Sequence, residues 1–442
     1  MEENTKKTQK QTENAIGKEN KIVTGVIWQQ LLLFFFPILF GTFFQQLYNA
    51  ADAVIVGRFV GKEALSAVGG GTGTLIQLLV GFFVGLSSGA TVIISQYYGA
   101  KRAEMVGYAV HTSIAFSLVA GVGMMIVGIT AAPWALRAMS TPEDILGPAT
   151  TYIRIYFLGV IGNLIYNMGA SILRAVGDSK RPLYVLIVTC ILNIVLDLFF
   201  VVAFHMGIVG VAVATVTSQV VSALIVTGML LKTREIYALK ISRIRFDKRM
   251  LLSVLCIGIP AGLESVMYNI SNIVIQVFVN NLGTDTVAAW GTLGKIDAIF
   301  WMVINAFAIS ITTFVGQNFG AGKYHRMRKS VSVCMIMSMI SSAVMILLMY
   351  GGAPWIYRLF TTDSAVITHG VHMSRFLLPS YFVYVIIGIL SGALRGTGKV
   401  LVPMILTCGG VCSLRILWLF TAGQMYPGIN TIMLSYPVSW SI

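Results

Sequence analysis

Four carboxylates stand inside apolar runs long enough to cross a bilayer: Asp52, Asp197, Glu264 and Asp297. An Asp at the centre of a membrane helix costs roughly 2.5–3.5 kcal/mol on insertion scales, so it is seldom there without a partner or a role. Gln45, Asn49 and Asp52 follow a 4–3 spacing that puts them on one helix face. Asn193 and Asp197 are four apart on a later run, and Thr215, Gln219 and Ser222 repeat the 4–3 spacing on the next. Lipid satisfies no hydrogen bonds, so these stripes must face one another or water. Bundle glue accounts well for the amides and hydroxyls. It accounts poorly for two carboxylates without a neighbouring Lys or Arg. Two such groups in a low dielectric repel each other and lose hydration. The pattern suits reversible loading of a positive guest, either a proton or a Na⁺ ion held by carboxylate, amide and hydroxyl oxygens.

The second half carries its own polar residues. Glu264, Tyr268 and Asn272 lie at successive spacings of four with Asn269 adjacent, and Asp297 shares a helix face with Asn305. Lys295 is two residues from Asp297 and points elsewhere, toward a carboxylate on another helix. Arg415 is placed to neutralise Glu264 or Asp297. Internal ion pairing weighs as heavily here as a functional role. The five His residues (111, 205, 325, 369 and 372) lack metal-ligand spacing and read as loop or helix-end positions. The five Cys residues all lie in apolar runs and form no disulfide framework. The run Gly69-Gly70-Gly71-Thr72-Gly73 lacks the Gly-Lys-Ser/Thr ending of a phosphate loop and reads as a close contact or a bend. No nucleophile–base or metal constellation marks an enzyme.

The elements that position these residues follow from composition. The chain has 442 residues, 56% hydrophobic and only 11% charged. Soluble domains carry about 25% charged residues, so a soluble globular protein and a disordered one are both excluded. Long unbroken apolar runs point to helices rather than a β-barrel. Twelve runs can be drawn, from 27–58 to 427–442. The last is too short for a full span, which reads as a chain ending inside its twelfth helix. The net charge of +14 suits basic cytoplasmic loops rather than nucleic acid. With the N-terminus inside, 23 of the 31 Lys and Arg fall in cytoplasmic segments and four in outer loops. The expected organisation is a disordered cytoplasmic tail over 1–26, a six-helix lobe over 27–231, a cytoplasmic linker over 232–250 and a second lobe over 251–442.

The two halves repeat each other. Ser95-Gln96-Tyr97-Tyr98-Gly99-Ala100-Lys101 matches Gly316-Gln317-Asn318-Phe319-Gly320-Ala321, with the Gln, Gly and Ala pairs 221 residues apart. Leu173-Arg174-Ala175-Val176-Gly177 matches Leu394-Arg395-Gly396-Thr397-Gly398 at the same offset. Each half holds an even number of spans, so both enter the membrane in the same sense and the symmetry axis runs along the membrane normal. The expected fold is all-α and integral to the membrane: twelve helices in two pseudo-symmetric six-helix bundles around a central cavity.

The motifs that carry a family likeness are Pro37 followed by Leu47 to Gly61 (LYNAADAVIVGRFVG), Ser95 to Arg102 (SQYYGAKR), Leu173 to Pro182, Asn193 to Asp197 (NIVLD), Gly258 to Ser265 (GIPAGLES) and Leu394 to Gly398. In this order the chain resembles the multidrug and toxic compound extrusion transporters, in their DinF-like branch. The resemblance implies two lobes, a V-shaped cavity, and export of organic cations in exchange for H⁺ or Na⁺. It implies a coupling site at Asp52, Asn193, Asp197 and Thr215, where a Na⁺ ion would also sit, and a family Glu at Glu264. Gln45, Asn49, Gln219, Tyr268, Asn272 and Asp297 remain candidates for the cavity or its polar stripes. The stretch Leu378 to Phe382 has no carboxylate, unlike the NorM-like branch. Expected partners are small amphipathic cations and the lipid bilayer, with no nucleic acid and no cofactor beyond the coupling ion. The expected setting is a monomer, multi-pass in the inner membrane. A flippase for a lipid-linked precursor is the other reading, and it would need a strongly cationic cavity.

Overall fold

Hydrocarbon cannot satisfy backbone N–H and C=O groups, so each apolar run must bond to itself as a helix. The computed structural model describes residues 20–139 and 141–441. Eleven of its helices are long and apolar enough to cross a membrane. They are α1 (Ile27–Val60), α2 (Lys62–Gly99), α3 (Ala103–Ala138), α4 (Glu143–Ala175), α5 (Lys180–Ala203), α6 (Gly207–Lys232), α7 (Lys248–Asn280), α8 (Thr284–Gly320), α9 (Tyr324–Arg358), α10 (Ser364–Gly396) and α11 (Leu401–Met425). A shorter helix, α12 (Ile429–Ser441), follows. Of the two readings of the glycine run, a close contact or a bend, the structure shows a break: the helix is interrupted at Gly70 between Lys62–Gly69 and Gly71–Gly99.

In the first half α4 packs on α3, α6 and α2, while α5 packs on α1 and α6. In the second half α8 is central, touching α9 and α10. The halves meet mainly where α2 crosses α7, and again where α2 and α1 touch α8. The α2–α7 crossing is made by small residues. A Cβ at Gly85 would fall 2.6 Å from the Gly262 nitrogen, and one at Gly258 would fall 2.5 Å from the Leu86 carbonyl oxygen. Such spacing lets helix backbones approach closely, the usual basis of helix association in lipid. Further along, Phe35 of α1 stacks on Phe307 of α8 at 4.1 Å between ring centroids.

Three helices contain a π-helical turn: Val56–Val60 ending α1, Phe199–Ala203 ending α5, and Leu406–Ser413 within α11. The first two turns touch each other. Such turns re-aim neighbouring side chains and often sit at functional positions.

Two connections differ from the expected organisation. Of the segment 1–26 read as a disordered tail, residues 1–19 lie outside the described residues. Residues 20–26 are ordered: Asn20 caps a short helix, Lys21–Thr24, whose Ile22 and Val23 are buried. Burial of Ile22 and capping of the carbonyls of Ile22 and Val23 by Arg326 and Lys323 hold it in place. The linker is tethered too. His111, read as a loop or helix-end residue, lies inside α3, where its ring nitrogens face Gly107 O at 2.6 Å and the Lys240 N–H at 3.0 Å. Thr112 accepts from the Asp247 N–H at 3.1 Å, and Tyr237 and Leu239 are buried.

Close helix contacts within one half can be tested directly. A Cβ at Gly162 of α4 would lie 2.9 Å from the Gln219 carbonyl oxygen of α6, whereas Gly123 of α3 has nothing within 4 Å. Gly162→Leu is expected to lower the thermal midpoint of the purified protein by an overpacking cost of about 1–3 kcal/mol. Gly123→Leu should leave the midpoint unchanged in the same melting assay.

Candidate functional site

The touching π turns of α1 and α5 follow directly on the acidic residues. Asp52 precedes the first turn by four residues and Asp197 precedes the second by two. The structure brings together the four residues that the resemblance singled out. Asp52 of α1 faces Asp197 and Asn193 of α5 and Thr215 of α6. The Thr215 hydroxyl donates to Asp52 Oδ2 at 3.4 Å. All four are buried, at 6% exposure for Asp52, 1% for Asn193, 0% for Asp197 and 2% for Thr215.

Several polar atoms of the cluster have no hydrogen-bond partner. These are Asp52 Oδ1, both Asp197 oxygens, and the amide oxygen and nitrogen of Asn193. Neither Asp makes an ion pair with a described Lys or Arg. A buried carboxylate with neither counter-charge nor donors is costly, and two facing each other are more so. One proton shared between them, or one cation among the carboxylate, amide and hydroxyl oxygens, removes that cost. The oxygens present fit either guest.

Sequence reasoning missed the wall around this cluster. Tyr48 of α1 and Tyr152 of α4 lie within electrostatic reach of both Asp52 and Asp197. Tyr156 packs beside Tyr152 at 6.5 Å and faces Gln219. The signal was there in part: Tyr48 stands four residues before Asp52, and Tyr152 and Tyr156 are four apart. The stripe on α1 itself is not uniform. Asp52 is buried, Gln45 is half-buried and Asn49 is exposed, bonded to Gln46.

The second half is arranged differently from expectation. Glu264 is paired with Arg395 of α10, whose Nη2 donates to Oε1 at 2.7 Å, and Thr407 donates to the same oxygen at 3.2 Å. Arg415, expected to neutralise Glu264 or Asp297, does neither. It is fully buried, with its guanidinium carbon 4.1 Å from the Tyr436 ring centroid and its Nη2 donating to Ser439 at 3.2 Å. Aromatic faces take up a guanidinium readily where no carboxylate reaches it. Asp297 accepts from the Tyr381 hydroxyl, and its Oδ1 has no partner. Lys295, expected to meet a carboxylate, lies 5.8 Å from the Phe360 ring centroid. Asp297 is buried but its expected face-mate Asn305 is exposed, and Asn272 is exposed as well. Tyr268 packs edge-on against Tyr384 at 6.3 Å. Among the described residues no three His, Cys, Asp or Glu gather as a metal cluster.

Among the described residues, eleven membrane-length helices and a shorter twelfth, doubled by an internal repeat and with unpaired carboxylates inside one half, define a membrane transporter of the two-lobed type. The MatE family model matches the chain twice, over residues 37–199 and 260–421, once in each half. The chain belongs to the MatE family and is a multi-pass membrane transporter rather than an enzyme. It is 28% identical over 426 residues to the probable multidrug resistance protein YoeA of Bacillus subtilis (strain 168), covering 94% of this chain and 91% of that protein. It is 21% identical over 373 residues to the multidrug export protein MepA of Staphylococcus aureus (strain N315), covering 84% and 82% respectively. Among solved structures it resembles a MOP superfamily transporter from Pyrococcus furiosus, with a TM-score of 0.88 at 23% identity over 96% of this chain and 94% of that one. A MATE protein in its straight conformation gives the same TM-score of 0.88 at 22% identity, over 96% of this chain and 95% of that one. At these identities the structural likenesses show a shared fold.

The Glu264–Arg395 pair makes a measurable claim. Arg395→Met should destabilise the protein by roughly 1.5–3 kcal/mol, the worth of hydrogen bonds to charged groups. The double variant Arg395→Met, Glu264→Gln should recover much of that loss, because no uncompensated carboxylate remains. Thermal melting of the two variants beside the parent protein checks it.

Proposed function

We propose that this transporter is a secondary antiporter that exports organic cations, several drugs among them, in exchange for H⁺ or Na⁺. The observation that carries the reading is the buried pair Asp52 and Asp197, facing each other without a basic partner among the described residues and with three carboxylate oxygens lacking a donor there. A positive guest entering between them relieves both repulsion and desolvation. Its departure restores both, so the empty pair is a loaded spring for the next ion. Thr215 donates to Asp52, and Thr215 and Asn193 supply the hydroxyl and amide oxygens that a Na⁺ ion would require. The π turns beside the two aspartates give the helix ends freedom to shift as the guest comes and goes.

The orientation in the membrane is supported by charge. The basic loops lie at one end, which the positive-inside rule assigns to the cytoplasm of the inner membrane. Exchange of one monovalent cation for one H⁺ or Na⁺ moves no net charge, so the chemical gradient of the coupling ion drives it; each charge moved in excess would gain about 2.3 kcal/mol per 100 mV. The printed names of the Bacillus and Staphylococcus relatives support drug cargo. A flippase for an anionic lipid-linked precursor is less well supported. Two arginines that could hold a pyrophosphate, Arg395 and Arg415, are occupied by Glu264 and by aromatic rings. We read the functional unit as a monomer.

Asp52→Asn and Asp197→Asn are each expected to cut coupled efflux at least tenfold while expression and melting stay near the parent values. The assay is dye efflux from proteoliposomes under an imposed pH gradient, then under an imposed Na⁺ gradient. The gradient that drives the parent protein identifies the coupling ion. Parent-level efflux from both variants would sink the assignment.

A further inference from the structure

The repeated motifs have a geometry that the coupling site does not use. The segment ending α4 and the one ending α10 form the same cap at an offset of 221 residues. In the first, Gly177 N–H donates to Arg174 O and Asp178 N–H to Leu173 O, with Gly177 at φ +95. In the second, Gly398 N–H donates to Arg395 O and Lys399 N–H to Leu394 O, with Gly398 at φ +87. Each cap leaves one carbonyl without a backbone donor, that of Ala175 and that of Gly396, as helix C-termini do. The other half of the molecule supplies the missing donor. Gln317, ending α8, donates from Nε2 to Ala175 O at 2.7 Å. Gln96, ending α2, donates from Nε2 to Gly396 O at 2.9 Å. The two bonds exchange under the internal pseudo-twofold, since Gln96 corresponds to Gln317 and Ala175 to Gly396.

The clamp sits at the end carrying the basic loops, beside Lys101 and Lys323. The backbones are pressed together there: a Cβ added at Gly99 would overlap Gln317, and one at Gly320 would overlap Gln96. The ordered segment before α1 reinforces one side of it. Asn20 Nδ2 donates to Gln317 Oε1 at 3.0 Å, while Lys323 and Arg326 of the second half hold the carbonyls of Val23 and Ile22. Gln317 is accordingly fully buried and Gln96 half-buried.

We infer that Gln96 and Gln317 are the gating residues of this end: each caps a helix of the opposite half, and both bonds must break before the halves part there. The step is reversible exchange of two amide–carbonyl bonds for bonds to water. A net hydrogen bond is worth about a fivefold shift in a two-state equilibrium. The glutamine clamp therefore biases the molecule toward closure at the basic end without locking it. The role in the transport cycle rests on the antiport reading above, but the bias itself is measurable without transport.

The test is a distance measurement between spin labels on Arg102→Cys and Tyr324→Cys, across the closed end, in protein whose five native cysteines are replaced by serine or alanine. Gln96→Glu and Gln317→Glu keep the side-chain shape and remove the donor. Each is expected to raise the long-distance, open population about fivefold, and the double variant more than either. Where a Glu variant does not purify as a single species, Gln96→Leu and Gln317→Leu give the same readout. Unchanged distances in both series would overturn the gate. So would opening by the Gln317 variants alone, because the clamp requires both halves. Failure of parent efflux in liposomes would remove the antiport reading while leaving the distance result standing.

Discussion

In hydrocarbon a polar group finds its partner within the protein or not at all, and the structure is organised by that condition. The backbone meets it by forming helices. The side chains meet it in pairs that the fold must assemble: Arg395 on Glu264, Tyr381 on Asp297, Ser439 and three aromatic rings on Arg415. Single atoms such as Asp297 Oδ1 are left over elsewhere, but in the cluster of Asp52, Asn193 and Asp197 the unmet groups face one another. Five of its polar atoms are buried and unpartnered. The cost is borne by the surrounding packing of α1, α4, α5 and α6, with tyrosines walling the site. A group of this kind is stable only because the helices holding it are stable on other grounds.

The same scarcity of partners explains how the halves adhere and how they could separate. Water-driven burial does little between helices already in lipid, so the α2–α7 contact relies on backbone proximity through Gly85, Gly258 and Gly262. Such contacts are sensitive to shape and form or break as a whole. Where α2 and α8 end, polar bonds take over. A carbonyl left free at a helix end is inexpensive to wet, so a glutamine that caps it holds two lobes loosely. Close packing thus holds the halves together in the membrane, and capping bonds hold them at its surface.

The segments outside the spans are part of this arrangement. Residues 20–26 lie across the meeting of the two halves, held by Lys323, Arg326 and Gln317. The linker between the halves is tied to α3 by His111 and Thr112. Composition marked the first stretch as a tail and the second as a linker, and it gave no sign of these tethers. Their tethers are hydrogen bonds to residues more than a hundred positions away, which leave no local pattern.

The amino-acid sequence by itself determined the membrane class, the helix count, the doubling and the polar stripes that carry Asp52, Asn193, Asp197 and Thr215. Those features rest on local periodicity, on the cost of charge in lipid, and on repeats that survive as spaced motifs. The bend at Gly70 was legible for the same reason. The partners were not legible. Nothing in spacing told that Glu264 would take Arg395, that Arg415 would settle among Tyr268, Tyr436 and Trp440, or that Gln96 and Gln317 would reach into each other's half. Those choices were made by the tertiary structure alone, because a charge or an amide in a helix bundle pairs with whatever the packing of separate helices brings within about 3 Å, and sequence distance carries no measure of that.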